Sequence, residues 1–450
     1  MSTKRPTHKK NRSTRKQTAG NDTGAVPVSL FARRIHQVAE VLGQIMQWQH
    51  PADSVLSQWM RKQKNMGSRD RAETTNAVFD VLRHLRRYRY LAESGVGSGT
   101  RRLAILGLVA TWDKNLRPAL DEAEQAWLDH VLNLDKLDMP FAQRYSLPDW
   151  LAEHLQAMPD AEQLAQALNT EAPLDLRVNS FKADRDQLLA ELQQERETAR
   201  FKPEATAYSP WGIRLKGRPY VVSWPQFEKG QIEIQDEGSQ LLTALVAPKR
   251  GEMIIDFCAG AGGKTLLLGA LMRSTGRLYA FDTSAARLAR AKPRFARSGL
   301  SNVISVVINE EHDSRIKRLQ GKAQRVLVDA PCSGIGTLRR NPDLKWRQHP
   351  ETIDYYVDLQ RDILQKSAKC VAPGGRLVYA TCSMLPAENQ NQITWFLEQH
   401  PHFELMDVNP IIATRSPTLS MSGPFLELRP DYHHTDGFFA AVLQRKTEVI

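Results

Sequence analysis

The sequence contains few cysteines, and their spacing excludes the common structural uses of this residue. There are four in 450 residues. No two of them form a C-x-x-C pair, which argues against a zinc site. We expect free thiols in a cytoplasmic protein, since the reducing cytosol keeps thiols from forming disulfides.

Long hydrophobic runs are also missing. The longest apolar stretch, from Leu103 to Trp112, is shorter than the roughly 20 residues that a membrane-spanning helix needs. The N-terminal region has no apolar segment that could act as a secretory signal. We therefore expect a soluble, monomeric protein of roughly two to four domains that makes no contact with membranes.

Acidic residues are outnumbered by basic ones. The chain has 61 Lys and Arg against 50 Asp and Glu, a formal net charge of +11. This surplus favours a polyanionic partner, RNA or DNA, because Lys and Arg release counterions when they neutralise phosphates. The first 21 residues contain no acid, and we expect residues 1–25 to form a disordered basic tail. A solvated arm that only aids solubility would look the same.

Residues 26–145 show helical periodicity and predict an all-helical domain. Between Arg69 and Leu91, within one predicted arginine-rich helix, apolar residues recur at helical spacing among arginines. This pattern predicts a buried stripe below a basic outer face that could bind RNA, although a merely solvated face would give the same spacing. The apolar residues are Val78, Phe79, Leu82 and Leu85, and the basic ones are Arg83, Arg86, Arg87 and Arg89.

Residues 146–245 change from helical to mixed patterns. A β-like run from Leu174 to Val178 is followed by an amphipathic helix from Asp184 to Gln194. Short strands are predicted at Ile213–Leu215 and Tyr220–Val222. The segment therefore predicts linking helices and a small α/β module.

From residue 246 to residue 450, strand-like and helical segments alternate. This alternation predicts an α/β domain with a doubly wound sheet, whose ligands bind at the carboxyl ends of the strands. The predicted strands are Met253–Phe257, Leu278–Phe281, Val303–Val307, Val326–Val328, Leu377–Ala380 and Phe438–Leu443, and the predicted helices are Lys264–Met272, Ala285–Arg297 with a kink at Pro293, Tyr355–Val371 and Glu388–His400.

A glycine-rich turn follows the first of these strands, with the sequence Cys-Ala-Gly-Ala-Gly-Gly-Lys-Thr. A Walker loop would need glycine at Cys258, and a dinucleotide fingerprint would need glycine at Thr265. Asp282 ends the next strand, where an acid suits hydrogen bonding to ribose hydroxyls. These features fit S-adenosylmethionine, and a purely structural tight turn is the alternative.

Two cysteines end two later strands: Cys332 follows Asp-Ala-Pro, and Cys382 lies between Thr and Ser. A thiolate that adds to carbon 6 of a pyrimidine makes carbon 5 nucleophilic enough to accept a methyl group. Asp329 could hold the base through its ring nitrogen or exocyclic amine. The alternative is that both cysteines are small core residues, as we expect for Cys258 and Cys370.

Seven short runs, several of them around these cysteines, are typical of one family. They are Asp329–Thr337, Arg339–Asp343, Lys345-Trp346, Tyr379–Ser383, Glu388-Asn389, Gln235–Gln240 and Asp436–Phe439. In these runs the chain resembles the Sun/Nop family of RNA (cytosine-5) methyltransferases, in particular its RsmB/Fmu-like group. Gly67–Arg71 is similar to part of the NusB-like helical domain found there.

The resemblance implies a Rossmann-like class I methyltransferase domain, preceded by an RRM-like module and an N-terminal NusB-like helical domain that binds RNA. It implies methylation of carbon 5 of a cytidine in RNA, expected to be rRNA, with the base turned out of its stack. Cys382 becomes the nucleophile that forms the covalent adduct, and Cys332 assists product release. The implied S-adenosylmethionine contacts are Cys258, Ala259, Gly260, Ala261, Gly262, Gly263, Lys264, Asp282, Asn309 and Asp329.

The chain departs from the family's pattern on the cofactor side. Gly260 and Ala261 replace the usual Ala-Pro pair, which predicts a looser turn. Asn309 stands where the family has an Asp facing the adenine, with Asp313 as a substitute. An Asn still accepts a hydrogen bond, so we expect altered cofactor affinity rather than lost activity.

Other functions share parts of this pattern. DNA cytosine-5 methyltransferases use a Pro-Cys nucleophile and a later Glu-Asn-Val, and Glu388-Asn389 follows Cys332 here. Gln390 in place of the Val, and the second cysteine motif, count against that class. A tRNA methyltransferase, or a non-catalytic RNA-binding assembly factor on the same scaffold, would also carry the basic surface.

Overall fold

The computed structural model describes residues 30–134, 139–309 and 313–447. The predicted basic tail, residues 1–25, lies outside the described residues. No helix in these three ranges is long and apolar enough to cross a membrane.

The first part of the chain is helical, as its periodicity predicts. Val78, Leu82 and Leu85 are fully buried in one apolar core. The predicted arginine-rich helix is in fact two helices that meet at His84. The helices of this region are α1 (Leu30–Ile45), α2 (Ala52–Lys62), α3 (Ser68–Arg83), α4 (Leu85–Ala92), α5 (Gly99–Leu116) and α6 (Glu122–Leu132).

The basic face of α3 and α4 is only partly open to solvent. Arg83 donates a hydrogen bond to the Arg339 carbonyl at 3.0 Å. Arg86 donates to the Leu147 carbonyl at 2.7 Å, whereas Arg89 is exposed. The prediction of an outward-facing basic surface is therefore wrong for Arg83 and Arg86, because they bind carbonyls of neighbouring segments.

A small antiparallel sheet with the strand order β2-β3-β1-β4 follows three linking helices. Asp184 begins its main helix, α10, because its carboxylate accepts hydrogen bonds from the first amides of the helix. The linking helices are α7 (Phe141–Arg144), α8 (Asp149–Gln156) and α9 (Ala161–Leu168), and the module contains β1 (Leu174–Val178), α10 (Arg185–Gln194), α11 (Arg196–Ala199), β2 (Glu204–Ala205), β3 (Gly212–Leu215), α12 (Pro225–Glu228) and β4 (Ile232–Ile234).

The strand predicted at Tyr220–Val222 is wrong. Residues Val221–Ser223 form a turn of 3-10 helix instead. Pro219 precedes this segment and Pro225 follows it. Proline removes a backbone donor and fixes φ, so a three-residue apolar run between two prolines lacks the extended backbone that a paired strand needs.

A large mixed sheet occupies the rest of the chain, with the order β10-β12-β9-β8-β5-β6-β7, and it confirms the predicted doubly wound architecture. Strands β5 to β9 run parallel, while β12 pairs antiparallel with β9, β10 and β11. The strands are β5 (Met253–Asp256), β6 (Arg277–Asp282), β7 (Val303–Val307), β8 (Ala323–Asp329), β9 (Val371–Thr381), β10 (Phe403–Met406), β11 (Leu426–Leu428) and β12 (Phe438–Arg445).

Helices connect these strands and cover both faces of the sheet. Helix α15 continues through Pro293 to Ser298. The helices are α13 (Glu237–Ala244), α14 (Gly263–Leu271), α15 (Ala285–Ser298), α16 (Ser314–Arg318), α17 (Leu344–Arg347), α18 (Pro350–Ala368), α19 (Gln390–Gln399), α20 (Asn409–Ala413) and α21 (Pro430–His433).

The strand order reverses between β5 and β8. The chain proceeds from β5 outward to β7, then returns to place β8 on the other side of β5. In open α/β sheets such a switch point leaves a crevice at the carboxyl ends of the strands. The glycine-rich turn after β5 and the Asp329 run after β8 both border it.

Candidate active site

Both predicted catalytic cysteines lie at the carboxyl edge of the large sheet. Cys332 follows β8 and Cys382 follows β9. These strands are parallel neighbours, with Asp329 aligned to Ala380, and so they deliver the two cysteines to one place. The Sγ atoms are 3.3 Å apart and both side chains are half-buried.

Asp329 forms an ion pair beside the thiols. Its Oδ2 accepts a hydrogen bond from Lys264 Nζ at 2.5 Å. Burial opposes the charge on Lys264, but the Asp329 carboxylate outweighs it and raises the pKa of the lysine. Lys264 also interacts electrostatically with Cys382.

Cys332 lies in a different electrostatic environment. Its contact with Cys382, its burial and the nearby Glu388 carboxylate raise the pKa of the Cys332 thiol well above its usual range. Cys332 therefore keeps its proton at neutral pH. The two sulfurs are equivalent in the sequence pattern but not in the structure.

The glycine-rich turn links β5 to α14 and has two residues with positive φ. Gly262 has φ +82°, and a Cβ there would lie 2.6 Å from the Phe295 ring. Gly260 has φ +55° and faces open space. Close packing therefore requires glycine at position 262, while Gly260 leaves room for a ligand to approach the backbone.

Asp282 connects the turn to the end of β6. Its Oδ2 accepts from the Gly260 amide at 2.8 Å and its Oδ1 accepts from the Ser284 amide at 2.7 Å. Each oxygen keeps a second lone pair, but Arg287 lies 3.6 Å from Oδ2, so Oδ1 is the oxygen better placed to accept a ribose hydroxyl. The open space at Gly260 and the acceptors of Asp282 thus fit S-adenosylmethionine.

Two arginines that the sequence did not single out hold the carbonyls of the turn. Arg177, on β1 of the small sheet, donates to the Gly263 carbonyl at 2.6 Å. Arg294, on α15, donates to the Ala261 carbonyl at 2.6 Å. Both residues are remote from the turn in sequence, so no local pattern could have revealed them.

Asp256 lies below the turn at the end of β5. It is fully buried, its Oδ2 accepts from Thr265 Oγ1 at 2.7 Å, and its Oδ1 has no hydrogen-bond partner among the described residues. Burial raises the pKa of this carboxyl to about 7. Asp256 supports the turn from inside rather than facing the crevice.

On the predicted adenine side, Asn309 is exposed after β7. Asp313 already has partners within the protein. Its carboxylate pairs with Arg315 and accepts a hydrogen bond from the backbone N–H of Asn309 at 3.1 Å. The hydrogen bond from Arg315 lowers the pKa of Asp313 well below its usual range. Of the two residues, Asn309 is therefore the one left to face a ligand.

The other two cysteines lie outside the thiol pair. Cys370 is fully buried, and burial raises its pKa to about 12. Cys258 is half-buried, packs against the main core of the sheet, and also has a raised pKa because of burial. Their surroundings match the packing role predicted for them.

Glu388 and Asn389 point into the protein. Their side chains are 0% and 3% exposed. Both Glu388 oxygens accept hydrogen bonds from Ser333, Ser383 and Gln360. Glu388 is therefore not placed to contact a base, which counts against the DNA cytosine-5 methyltransferase alternative.

Two family models match the chain. The model described as 16S rRNA methyltransferase RsmB/F matches residues 243–444. The model of the ferredoxin-like domain of RsmF/B-like methyltransferases matches residues 147–222, which include the first three strands of the small sheet.

Curated relatives and solved structures agree with these models. The probable ribosomal RNA small subunit methyltransferase B of Synechocystis sp. is 35% identical over 316 residues, covering 69% of this chain and 70% of the relative. The corresponding protein of Sodalis glossinidius is 35% identical over 309 residues, covering 68% and 67%. A methyltransferase homologue from Pyrococcus horikoshii superposes with a TM-score of 0.58 at 30% identity, covering 69% of this chain and all of that one.

Proposed function

Because the chain belongs to the RsmB/F family of 16S rRNA methyltransferases, we propose that it methylates carbon 5 of a cytidine in ribosomal RNA through a covalent bond to Cys382. The family is one of S-adenosylmethionine-dependent RNA methyltransferases. The observation that supports the finer proposal is the pair of sulfurs 3.3 Å apart beside Asp329 and Lys264.

Cys382 is the nucleophile in this proposal. Its Sγ forms a bond to carbon 6 of the cytosine, and the electron pair of the C5–C6 double bond moves to carbon 5. Cys382 reacts as the thiolate, and the positive charge of Lys264 interacts favourably with that thiolate. Bound S-adenosylmethionine supplies the electrophilic methyl group that carbon 5 accepts.

Asp329 holds the cytosine for this attack. It pairs with Lys264 through Oδ2, and it accepts a hydrogen bond from the exocyclic amine of the base. Only 28% of its side chain is exposed, so the bond forms in a partly desolvated place where it is stronger than in water.

Cys332 assists release. A base must remove the proton from carbon 5, after which the double bond re-forms and the bond between carbon 6 and Cys382 breaks. Cys332 Sγ lies 3.3 Å from Cys382 Sγ, so its thiol can pass its proton to the departing sulfur, which then leaves as a neutral thiol. Because it holds its own proton before the reaction, it does not compete with Cys382 for attack.

The substrate is tested by methylating purified 16S rRNA, 23S rRNA, tRNA and DNA with labelled S-adenosylmethionine and analysing the nucleosides. We expect label in 5-methylcytidine from 16S rRNA. Label found only in tRNA or only in DNA would show that this nucleic acid, and not 16S rRNA, is the substrate. Binding of S-adenosylmethionine and RNA without any transfer would instead identify a non-catalytic assembly factor.

A further inference from the structure

We propose that Glu388 is a positioning residue that sets the distance between the sulfurs of Cys332 and Cys382. This inference rests on the proposed function. It explains how two loops from different strands keep the nucleophile, Cys382, at a fixed distance from the residue that assists release, Cys332. Glu388 touches neither sulfur in a hydrogen bond and contacts no reacting atom. It acts through the serines that follow the two cysteines.

The Glu388 carboxylate bridges the two cysteine-bearing loops. Its Oε1 accepts from the Ser333 amide at 2.8 Å, and its Oε2 accepts from the hydroxyls of both Ser333 and Ser383. The two hydroxyls also lie 3.2 Å apart. Ser333 directly follows Cys332, and Ser383 directly follows Cys382. The single carboxylate of Glu388 therefore holds the residues next to both cysteines.

Helix α18 anchors this bridge from behind. Gln360 Nε2 donates to Glu388 Oε1 at 3.0 Å and to the Pro331 carbonyl at 2.9 Å. Pro331 is the residue before Cys332. The Cys332 loop is therefore held on both sides of the cysteine, once by Gln360 and once by Glu388.

Asn389 holds the Cys382 loop alone. Its Oδ1 accepts from Thr381 Oγ1 at 2.6 Å, and its Nδ2 donates to the Ser383 carbonyl at 3.1 Å. These residues flank Cys382 on either side, and neither hydrogen bond reaches the Cys332 loop. The two adjacent residues therefore have different roles. Asn389 orients the Cys382 thiol, and Glu388 sets the position of that thiol relative to Cys332.

A carboxylate suits this position because every surrounding group is a donor. A fully buried carboxylate is costly unless its lone pairs are all satisfied, and here four donors satisfy them. Glu388→Gln keeps the shape of the side chain but turns an NH₂ group toward hydroxyl groups that act as donors in the wild-type protein. Ser383→Ala removes the link between Glu388 and the Cys382 loop, together with the Ser383 Oγ contacts to Ser333 Oγ and the Leu385 amide.

The spacing is tested with phenylarsine oxide, which binds close dithiols by forming two As–S bonds and releasing water. The full-length wild-type protein should bind one equivalent through Cys332 and Cys382, and Cys382→Ala should lose this binding. We expect Glu388→Gln and Ser383→Ala to bind about tenfold more weakly, as expected when a buried hydrogen bond is lost. Wild-type affinity in both variants would overturn the proposal.

Gln392→Ala is the matched control for general destabilisation. Gln392 is also fully buried on α19, and its amide donates to the Val357 and Ala387 carbonyls rather than to either cysteine loop. It should lower the melting temperature but leave arsenical affinity unchanged. Loss of affinity in this control as well would show that any destabilisation moves the thiols, and the positioning role would be rejected.

The second readout separates positioning from the proposed reaction. In RNA methylation, Glu388→Gln should lower kcat and leave the KM for S-adenosylmethionine unchanged, because the glycine-rich turn is not in contact with Glu388. A raised KM with normal kcat would contradict the role. If arsenical binding weakens as expected but the wild-type protein methylates no cytidine, the spacing role stands and the proposed function fails.

Discussion

At the residue scale, charge distinguishes two thiols that look alike. Lys264 interacts electrostatically with Cys382, and Glu388 lies near Cys332. Contact with Cys382, burial and the Glu388 carboxylate raise the pKa of the Cys332 thiol, whereas Cys382 has Lys264 as its charged neighbour. The assignment of attack to Cys382 and release to Cys332, first implied by the family resemblance, thus has a physical basis in the structure, although the roles themselves stay proposals.

Asp256 should make the stability of the protein depend on pH. Burial raises its pKa to about 7 in the folded state, whereas an unfolded Asp titrates near pH ~4. A raised carboxyl pKa means that the folded state favours the protonated form. The free energy of unfolding should therefore fall as pH rises between these values, by up to about 1.4 kcal/mol per pH unit.

Asp256→Asn removes this titration, so its free energy of unfolding should rise relative to the wild type as the pH rises from 5 to 7. Urea unfolding of both proteins at several pH values, without cofactor, measures the difference. Parallel pH profiles for the two proteins would show that Asp256 does not titrate in this range.

Sequence reasoning reached some site residues and missed others for a clear reason. Asp329 and Cys332 follow one predicted strand, and Cys382 follows another. Because the ends of parallel strands meet at one edge of a sheet, their proximity could be foreseen. Arg177 and Arg294 reach the glycine-rich turn from other parts of the chain. Such contacts depend on how modules pack, which no local pattern encodes.

At the element scale, the parallel strands were predictable, whereas the short antiparallel strands β2, β4, β10 and β11 were not, although β3 was predicted at Ile213–Leu215. The strand Val303–Val307 is rich in β-branched residues and has the predicted bounds, although it is the edge strand of the sheet and largely exposed. Strands β4 and β11 have only three residues each. Runs so short become strands only because a partner lies beside them, and a similar run at Tyr220–Val222 without that partner is a turn.

The glycine-rich turn provides a prediction at this scale. Gly262→Ala should destabilise the protein by at least about 1–2 kcal/mol, because it combines a left-handed backbone with a Cβ 2.6 Å from the Phe295 ring. It should also weaken binding of S-adenosylmethionine, since the first turn of α14 must shift. Thermal unfolding and calorimetric titration measure the two effects.

Gly260→Ala is the matched comparison. It has a positive φ as well, but its Cβ would meet nothing within 4 Å. Backbone strain should therefore be its only cost, and Gly260→Ala should lower the free energy of unfolding clearly less than Gly262→Ala. Equal losses in the two variants would mean that the contact with Phe295 does not constrain the turn.

At the scale of the whole molecule, the N-terminal helices are docked onto the segment that follows the Cys332 loop. Lys345 Nζ donates to the Arg83 carbonyl at 2.7 Å and to Asn169 Oδ1 at 2.8 Å. Trp346 Nε1 donates to the Leu82 carbonyl at 2.9 Å. Part of the basic face of α3 is thus used inside the protein, and RNA binding by the helical region stays a prediction, as do the domain boundaries at 145 and 245.

Trp346→Phe should loosen this junction while keeping an aromatic ring in it. The Leu82 carbonyl loses its donor, and a net hydrogen bond of this kind is worth about 1 kcal/mol. Hydrogen exchange should accelerate together at the end of α3 and in residues 339–346, because each side protects the other. Acceleration confined to one side would show that the helices and this segment are not coupled.

The assignment of the two thiols is tested most directly by covalent capture on RNA. Cys382→Ala and Cys332→Ala proteins are incubated with 16S rRNA and S-adenosylmethionine, and protein–RNA adducts are resolved by denaturing electrophoresis. Our account predicts no adduct and no methylation with Cys382→Ala, and an accumulating adduct with Cys332→Ala because release is impaired. An adduct formed by the Cys382→Ala protein would contradict it.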